Sequence, residues 1–111
     1  MNEADKLFLE RLTLFVDENI DQSSLTSNTL AREFHFSQRH VNLKVKTTTG
    51  VDTTHFIRSR RIAQACHLLT HTDLPISRIA EECGISSANY FSRIFKMEIG
   101  MTPFEYRIKM S

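Results

Sequence analysis

The chain has little of what punctuates, cross-links or disorders a protein. Its 111 residues include three Gly, two Pro, two Cys and no Trp. So few breakers and turn formers leave no room for a flexible Gly/Ser or Pro-rich linker, and no polar low-complexity tract or block of like charge occurs. Cys66 and Cys83 stand singly inside helical patterns without a pairing or metal-binding motif, so they read as buried reduced thiols. No apolar run reaches the roughly 20 residues of a membrane helix, which argues against a membrane partner. The opening Met1-Asn2-Glu3-Ala4-Asp5-Lys6 lacks the basic-then-apolar order of a signal peptide, and a cytoplasmic location is expected. With 41% hydrophobic residues at this length, one domain over residues 1–111 is expected rather than two independent cores of usual size.

The formal net charge of +1 hides an asymmetry. Residues 1–36 hold three bases against seven acids, a net of −4, whereas residues 37–111 hold eleven against six, a net of +5. Between Arg39 and Arg61 the bases Arg39, Lys44, Lys46, Arg58, Arg60 and Arg61 oppose Asp52 alone. A local basic surface of this kind is what a polyanionic partner requires, although by itself it equally describes a solvated face.

What the chain does have is helical periodicity. Phe8, Leu12, Phe15 or Val16, and Ile20 recur at three- to four-residue spacing and predict an amphipathic helix over about 4–20. Thr26 and Ser27 are suitable N-caps for a short helix through Leu30, Ala31 and Phe34, and Ser37 caps a third that buries Val41 and Val45 and stops at Gly50. Asp52 caps a long helix over about 53–71, ended by Asp73-Leu74-Pro75. A short helix over about Ile76–Cys83 turns at Gly84 into one capped by Ser86, which carries Phe91 and Phe95 inward to Gly100. Thr102, Pro103 and Glu105 make a capping box with Pro at the first helical position, opening a last helix over about 103–109. Strand-like alternation is absent, so the expected fold class is all-α with about seven helices.

The pattern also repeats. A shift of 49 places Ala31 on Ala80, His35 on Gly84, Phe36 on Ile85 and Ser37 on Ser86. With one residue inserted, Val41 then falls on Phe91, Val45 on Phe95, Lys46 on Lys96, Gly50 on Gly100 and Phe56 on Tyr106. A short helix, a turn and a longer helix therefore occur twice, with a small Ala where the two helices cross. In a helix-turn-helix the second helix presents its N-terminal face to the DNA major groove. The faces so presented are Gln38, Arg39 and Asn42 in the first unit, and Ala88, Asn89, Ser92 and Arg93 in the second. Arg matches the two acceptors of guanine, and Asn matches the donor and acceptor of adenine. One such helix alone would read as a solvated surface, but two in register favour DNA recognition.

Over about residues 25–107 the sequence resembles the DNA-binding domain of the AraC/XylS family of transcriptional regulators. The resemblance rests on Ile79-Ala80, Gly84-Ile85, Tyr90-Phe91-Ser92-Arg93, Phe95-Lys96, Gly100-Met101-Thr102-Pro103 and Tyr106-Arg107. Gly50, Phe56-Ile57, Arg61-Ile62, Ala65 and Leu68-Leu69 match the segment that joins the family's two units. The departures are His35 for a usual turn Gly, Leu43 for a common Arg, Val45 for a common Phe and Thr53 for a common Pro; Leu43 removes one expected DNA contact. The resemblance implies a first helix-turn-helix unit over about 4–50, a connecting helix over about 53–71 and a second unit over about 76–110. It implies base reading by Arg39, Asn42, Asn89, Ser92 and Arg93, and phosphate contacts from Ser37, Lys46, Arg58, Arg60, Ser86 and Lys96. A connecting helix of about 19 residues spans roughly 28 Å, against about 34 Å between successive major grooves on one side of DNA, so recognition helices in adjacent grooves are expected. The implied partners are double-stranded promoter DNA, RNA polymerase, and a sensing or dimerisation domain elsewhere in a longer regulator, with transcription activation as the role. The acidic start Asp5-Lys6-Leu7-Phe8-Leu9-Glu10 looks like the lead-in to the DNA-binding end of hybrid two-component regulators.

Two rival readings carry less. His67 and His71 have the i, i+4 spacing of two metal ligands, but no intervening Glu and no third ligand accompany them, so neither an enzyme nor a metal or other cofactor is expected. A helical protein-interaction module would need spare apolar faces, whereas the Phe positions follow core spacing.

Overall fold

A computed structural model describes all residues, 1–111, and its regular elements are seven helices: α1 (Glu3–Glu18), α2 (Ser27–Phe34), α3 (Gln38–Thr49), α4 (Thr53–His71), α5 (Ile76–Glu82), α6 (Ala88–Ile99) and α7 (Pro103–Met110). The all-α reading holds. The chain divides into two compact units, Met1–Ile20 with Ser24–Arg60, and Asp21–Ser23 with Arg61–Ser111. The division runs through α4 between Arg60 and Arg61, so each unit owns part of the long helix.

The first unit begins at a cap that sequence reading overlooked: the Asn2 Oδ1 accepts the Asp5 N–H at 2.8 Å. At its other end α1 stops at Glu18 rather than continuing to 20, because the Asn19 side chain turns back to donate to the Phe15 carbonyl at 2.8 Å. Ile20 lies beyond the helix yet still joins the core. That core comprises Phe8, Leu12 and Val16 of α1, Leu25, Leu30 and Phe34 around α2, Val41 and Val45 of α3, and Ile57 of α4. Phe8 and Phe34 meet at 5.3 Å between ring centroids, and Phe34 and Phe36 at 6.4 Å. The α2–α3 turn closes when the Phe36 N–H reaches the Ala31 carbonyl at 2.9 Å, which sets His35 in left-handed space at φ 58°. A β-carbon there is disfavoured, so His35 holds the turn at a cost that Gly would avoid.

The second unit repeats this closure. The Ile85 N–H donates to the Ala80 carbonyl at 2.9 Å across Gly84, whose φ is 78°. α5 ends at Glu82, one residue before the predicted Cys83, which caps it instead. The cap of α6 is Ser87, whose hydroxyl accepts the Tyr90 N–H at 3.1 Å; sequence reading placed it at Ser86. Ser37 accepts from the His40 N–H at 3.0 Å, so Ser37 corresponds to Ser87 and the inserted residue of the repeat is Ser86, in the turn. Two adjacent serines satisfy cap propensity equally, and only the backbone decides between them. The core here is Ile62, Ala65 and Leu69 of α4, Ile79 and Ala80 of α5, Cys83, Ile85, and Phe91, Ile94 and Phe95 of α6. α7 opens on the expected box, with Thr102 Oγ1 accepting from the Glu105 N–H and Glu105 Oε1 from the Thr102 N–H; the Thr102 backbone N–H holds the Glu105 carboxyl below its usual pKa.

Candidate nucleic-acid interface

On α3 the predicted contact residues Arg39, Asn42 and Lys46 recur at spacings of three and four, so they share one helix face, and all three are exposed. Their freedom differs. Arg39 and Lys46 form no ion pair. The Asn42 Oδ1 instead accepts the hydroxyl of buried Thr53 at 2.7 Å, which leaves the amide NH2 of Asn42 as its outward group. That bond uses one of the two lone pairs of the amide oxygen and fixes the amide's orientation, and both N–H donors stay available to a base edge. Gln38 donates to the Ser27 Oγ at 2.7 Å, and the His40 ring stacks on Phe36 at 4.1 Å, so both flank the face as positioned side chains.

α6 presents the corresponding row. Asn89, Arg93 and Lys96 are exposed, while Ser92 is half-buried between them. The Arg93 guanidinium lies over the Tyr90 ring, 5.6 Å from its centroid, which restrains a long side chain while leaving its donors outward. Ser86 is exposed in the turn ahead of the helix, and with the cap hydroxyl supplied by Ser87 it is not engaged by the α6 N-terminus.

The basic stretch is smaller in space than in sequence. Arg60, expected to contact phosphate, makes a bidentate pair with Asp17 at 2.8 and 2.7 Å, and that hydrogen bonding raises its pKa; it is committed to holding α4 against α1. Lys44 pairs with Asp5 at 3.8 Å and lies over the Phe8 ring. Arg61 is 8% exposed and spends its fork on carbonyls: Nη1 donates to Gly84 at 2.6 Å and Cys83 at 3.3 Å, and Nη2 to Gln22 at 2.9 Å. Burial lowers its pKa, and the carbonyl acceptors compensate the buried charge. Arg58 is half-buried and free of ion pairs, leaving Arg39, Lys46 and Arg58 as the available cations of this stretch. Sequence reading also missed Arg107, which donates to the Leu69 and Thr72 carbonyls at 3.1 and 3.2 Å and so closes the C-terminal end of α4. A cation near a helix C-terminus is the available signal, but only the fold shows which helix it serves.

Other side chains offer less chemistry. Burial raises the pKa of Cys66 and pushes that of Cys83 up to about 12, so both thiols stay protonated. His67 and His71 stack on each other at 4.2 Å, and no group of three or more His, Cys, Asp or Glu side chains is arranged to hold a metal ion. No helix is long and apolar enough to cross a membrane.

Known proteins share this arrangement. A family model described as a helix-turn-helix domain matches residues 30–109. The HTH-type transcriptional activator RhaR of Enterobacter sp. (strain 638) is 35% identical over 106 residues, covering 96% of this chain and 37% of that protein. The solved C-terminal domain of AraT, a response regulator from Geobacillus stearothermophilus, is 31% identical with a TM-score of 0.84, over 90% of this chain and 83% of that one. A transcriptional regulator of the AraC-type DNA-binding-domain proteins from Chromobacterium violaceum, 24% identical, shares the fold with a TM-score of 0.90 over 99% of this chain and 97% of that one. The chain thus spans little more than a third of the length of its RhaR relative. With two helix-turn-helix units, two exposed polar helix faces and these relatives, the chain belongs to the AraC/XylS family of transcriptional regulators and forms a DNA-binding domain of that family, not an enzyme.

Proposed function

We propose that this domain is the promoter-reading part of a longer, cytoplasmic transcriptional activator, and that α3 and α6 enter adjacent major grooves of one DNA site. The observation that carries the reading is the recurrence, 50 residues apart, of a Ser-capped helix whose outer face is polar and partly cationic. On this reading residues 1–111 act as one DNA-binding domain: the first unit occupies about 4–50, the second about 76–110, and the helix over 53–71 connects them. Arg39, Asn42, Asn89, Ser92 and Arg93 read bases. Ser37, Lys46, Arg58, Ser86 and Lys96 meet phosphates. The RhaR relative is a transcriptional activator and the AraT relative a response regulator, which supports RNA polymerase as a partner and a sensing or dimerisation domain in the full-length protein.

Two measurements test this. A footprint at saturation is expected to cover about two helical turns, and protection of a single half-turn would mean that only one unit engages. Binding should weaken steeply with salt, and Lys96→Ala should reduce the slope of log K against log salt by about one without altering base preference. Affinity that does not change with salt would overturn the reading.

A further inference from the structure

We infer that Leu43 is a specificity residue that reads the C5-methyl group of a thymine. The inference rests on the DNA-binding reading above. Leu43 lies on α3 four residues after Arg39 and three before Lys46, in the row of side chains that faces outward, and it is 61% exposed. It takes no part in the hydrophobic core of its unit. Through the 50-residue correspondence that pairs Asn42 with Ser92 and Lys46 with Lys96, it occupies the place of Arg93 on α6. An aliphatic side chain can neither donate nor accept, so beside a phosphate or a guanine edge it contributes nothing. The major groove offers one apolar group, the thymine methyl, and burial against it is the favourable contact open to Leu43.

The neighbouring residue strengthens the match. The Asn42 amide, oriented by the Thr53 hydroxyl at 2.7 Å, keeps both N–H donors on the residue next to the leucine. A donor beside an apolar group complements the O4 acceptor and C5-methyl of thymine. Leu43 on α3 and Arg93 on α6, at corresponding places, thus differ in base preference. α3 reads a thymine where α6, with Arg93, is suited to guanine.

The test uses the tightest duplex recovered by selection from a random-sequence pool, with each thymine replaced in turn by deoxyuridine. This change removes one methyl and keeps every hydrogen-bonding group. For the unaltered protein, one replacement should weaken binding about fourfold, the equivalent of one buried methyl group. Leu43→Ala, on an exposed helical position where Ala is well tolerated, should lose that sensitivity and leave the other replacements unchanged. Leu43→Met should retain it, and 5-methylcytosine in place of cytosine at the same position should bind more tightly to the unaltered protein and to Leu43→Met, but not to Leu43→Ala. A flat deoxyuridine scan, a sensitivity that persists in Leu43→Ala, or a selected site lacking thymine beneath α3 would each overturn the assignment while leaving DNA binding intact. Failure to prefer the selected duplex over a random one would overturn both the assignment and the reading on which it rests.

Discussion

The two units build one backbone motif from different materials. In the second, the recognition helix α6 supplies its own aromatic core: Phe91 and Phe95 are fully buried and 5.8 Å apart, and Tyr106 meets Phe95 edge-on at 5.6 Å. In the first, α3 contributes only Val41 and Val45, and the ring volume arrives from Phe8 and Phe15 of α1, Phe34 of α2, and Phe36 beside them. The turn differs likewise, Gly84 in one and a left-handed His35 in the other. The fold therefore specifies core volume and hydrogen-bond closure, and leaves open which element provides them. At Val45, a departure from the family pattern, the rings of neighbouring elements supply the missing volume, whereas His35 carries the strain of its turn itself.

The sharpest way to break this comparison is to remove the aromatic anchor. Phe95→Ala should destabilise the second unit by about 3 to 5 kcal/mol, whereas the equivalent Val45→Ala should cost the first about 2 kcal/mol. Hydrogen exchange resolved by residue checks this, and equal losses of protection in the two units would contradict the proposed division of labour. Next in size is Arg61. Arg61→Met keeps the apolar stem but strands the Gly84, Cys83 and Gln22 carbonyls, and should lower stability by about 1.5 to 3 kcal/mol. Arg61→Lys should fail to restore it, because one ammonium cannot reproduce the planar fork. A thermal melt of Arg61→Lys indistinguishable from the parent would show that those bonds are dispensable.

Arg93→Ala concerns binding and leaves stability aside. It should cost about 1 to 3 kcal/mol and relax preference at one base pair, while Asn42→Ala, which removes a neutral amide, should cost less and also leave the buried Thr53 hydroxyl without its acceptor. A panel of single-base operator variants checks both, and a uniform loss across the panel for Arg93→Ala would make it a phosphate contact. The smallest expected effect is favourable. His35→Gly should stabilise the first unit by about 1 kcal/mol by relieving the left-handed β-carbon, and chemical denaturation would show the shift. No gain would mean that the His35 side chain makes a compensating contribution.

Much of this molecule was legible in its residues. Spacing of three to four apolar positions gave seven helices with ends within two residues, since burial of one face is a local property of sequence. Caps with a unique candidate, such as Ser37, Asp52 and Thr102 with Glu105, were also readable. The internal repeat and the exposed faces of α3 and α6 followed from the same periodicity. What required tertiary structure was the fate of polar groups whose partners are distant in sequence. Whether Arg60 faced a phosphate or Asp17, 43 residues earlier, whether Arg61 was a surface cation or a buried clamp, and whether the Asn42 carbonyl was open or held by Thr53 were questions of three-dimensional proximity. Ser87 rather than Ser86 became the cap for the same reason. Hydrophobic pattern acts along one element and is written into its period, whereas a hydrogen bond or ion pair depends on distance and direction between elements, which exist only once the chain has folded.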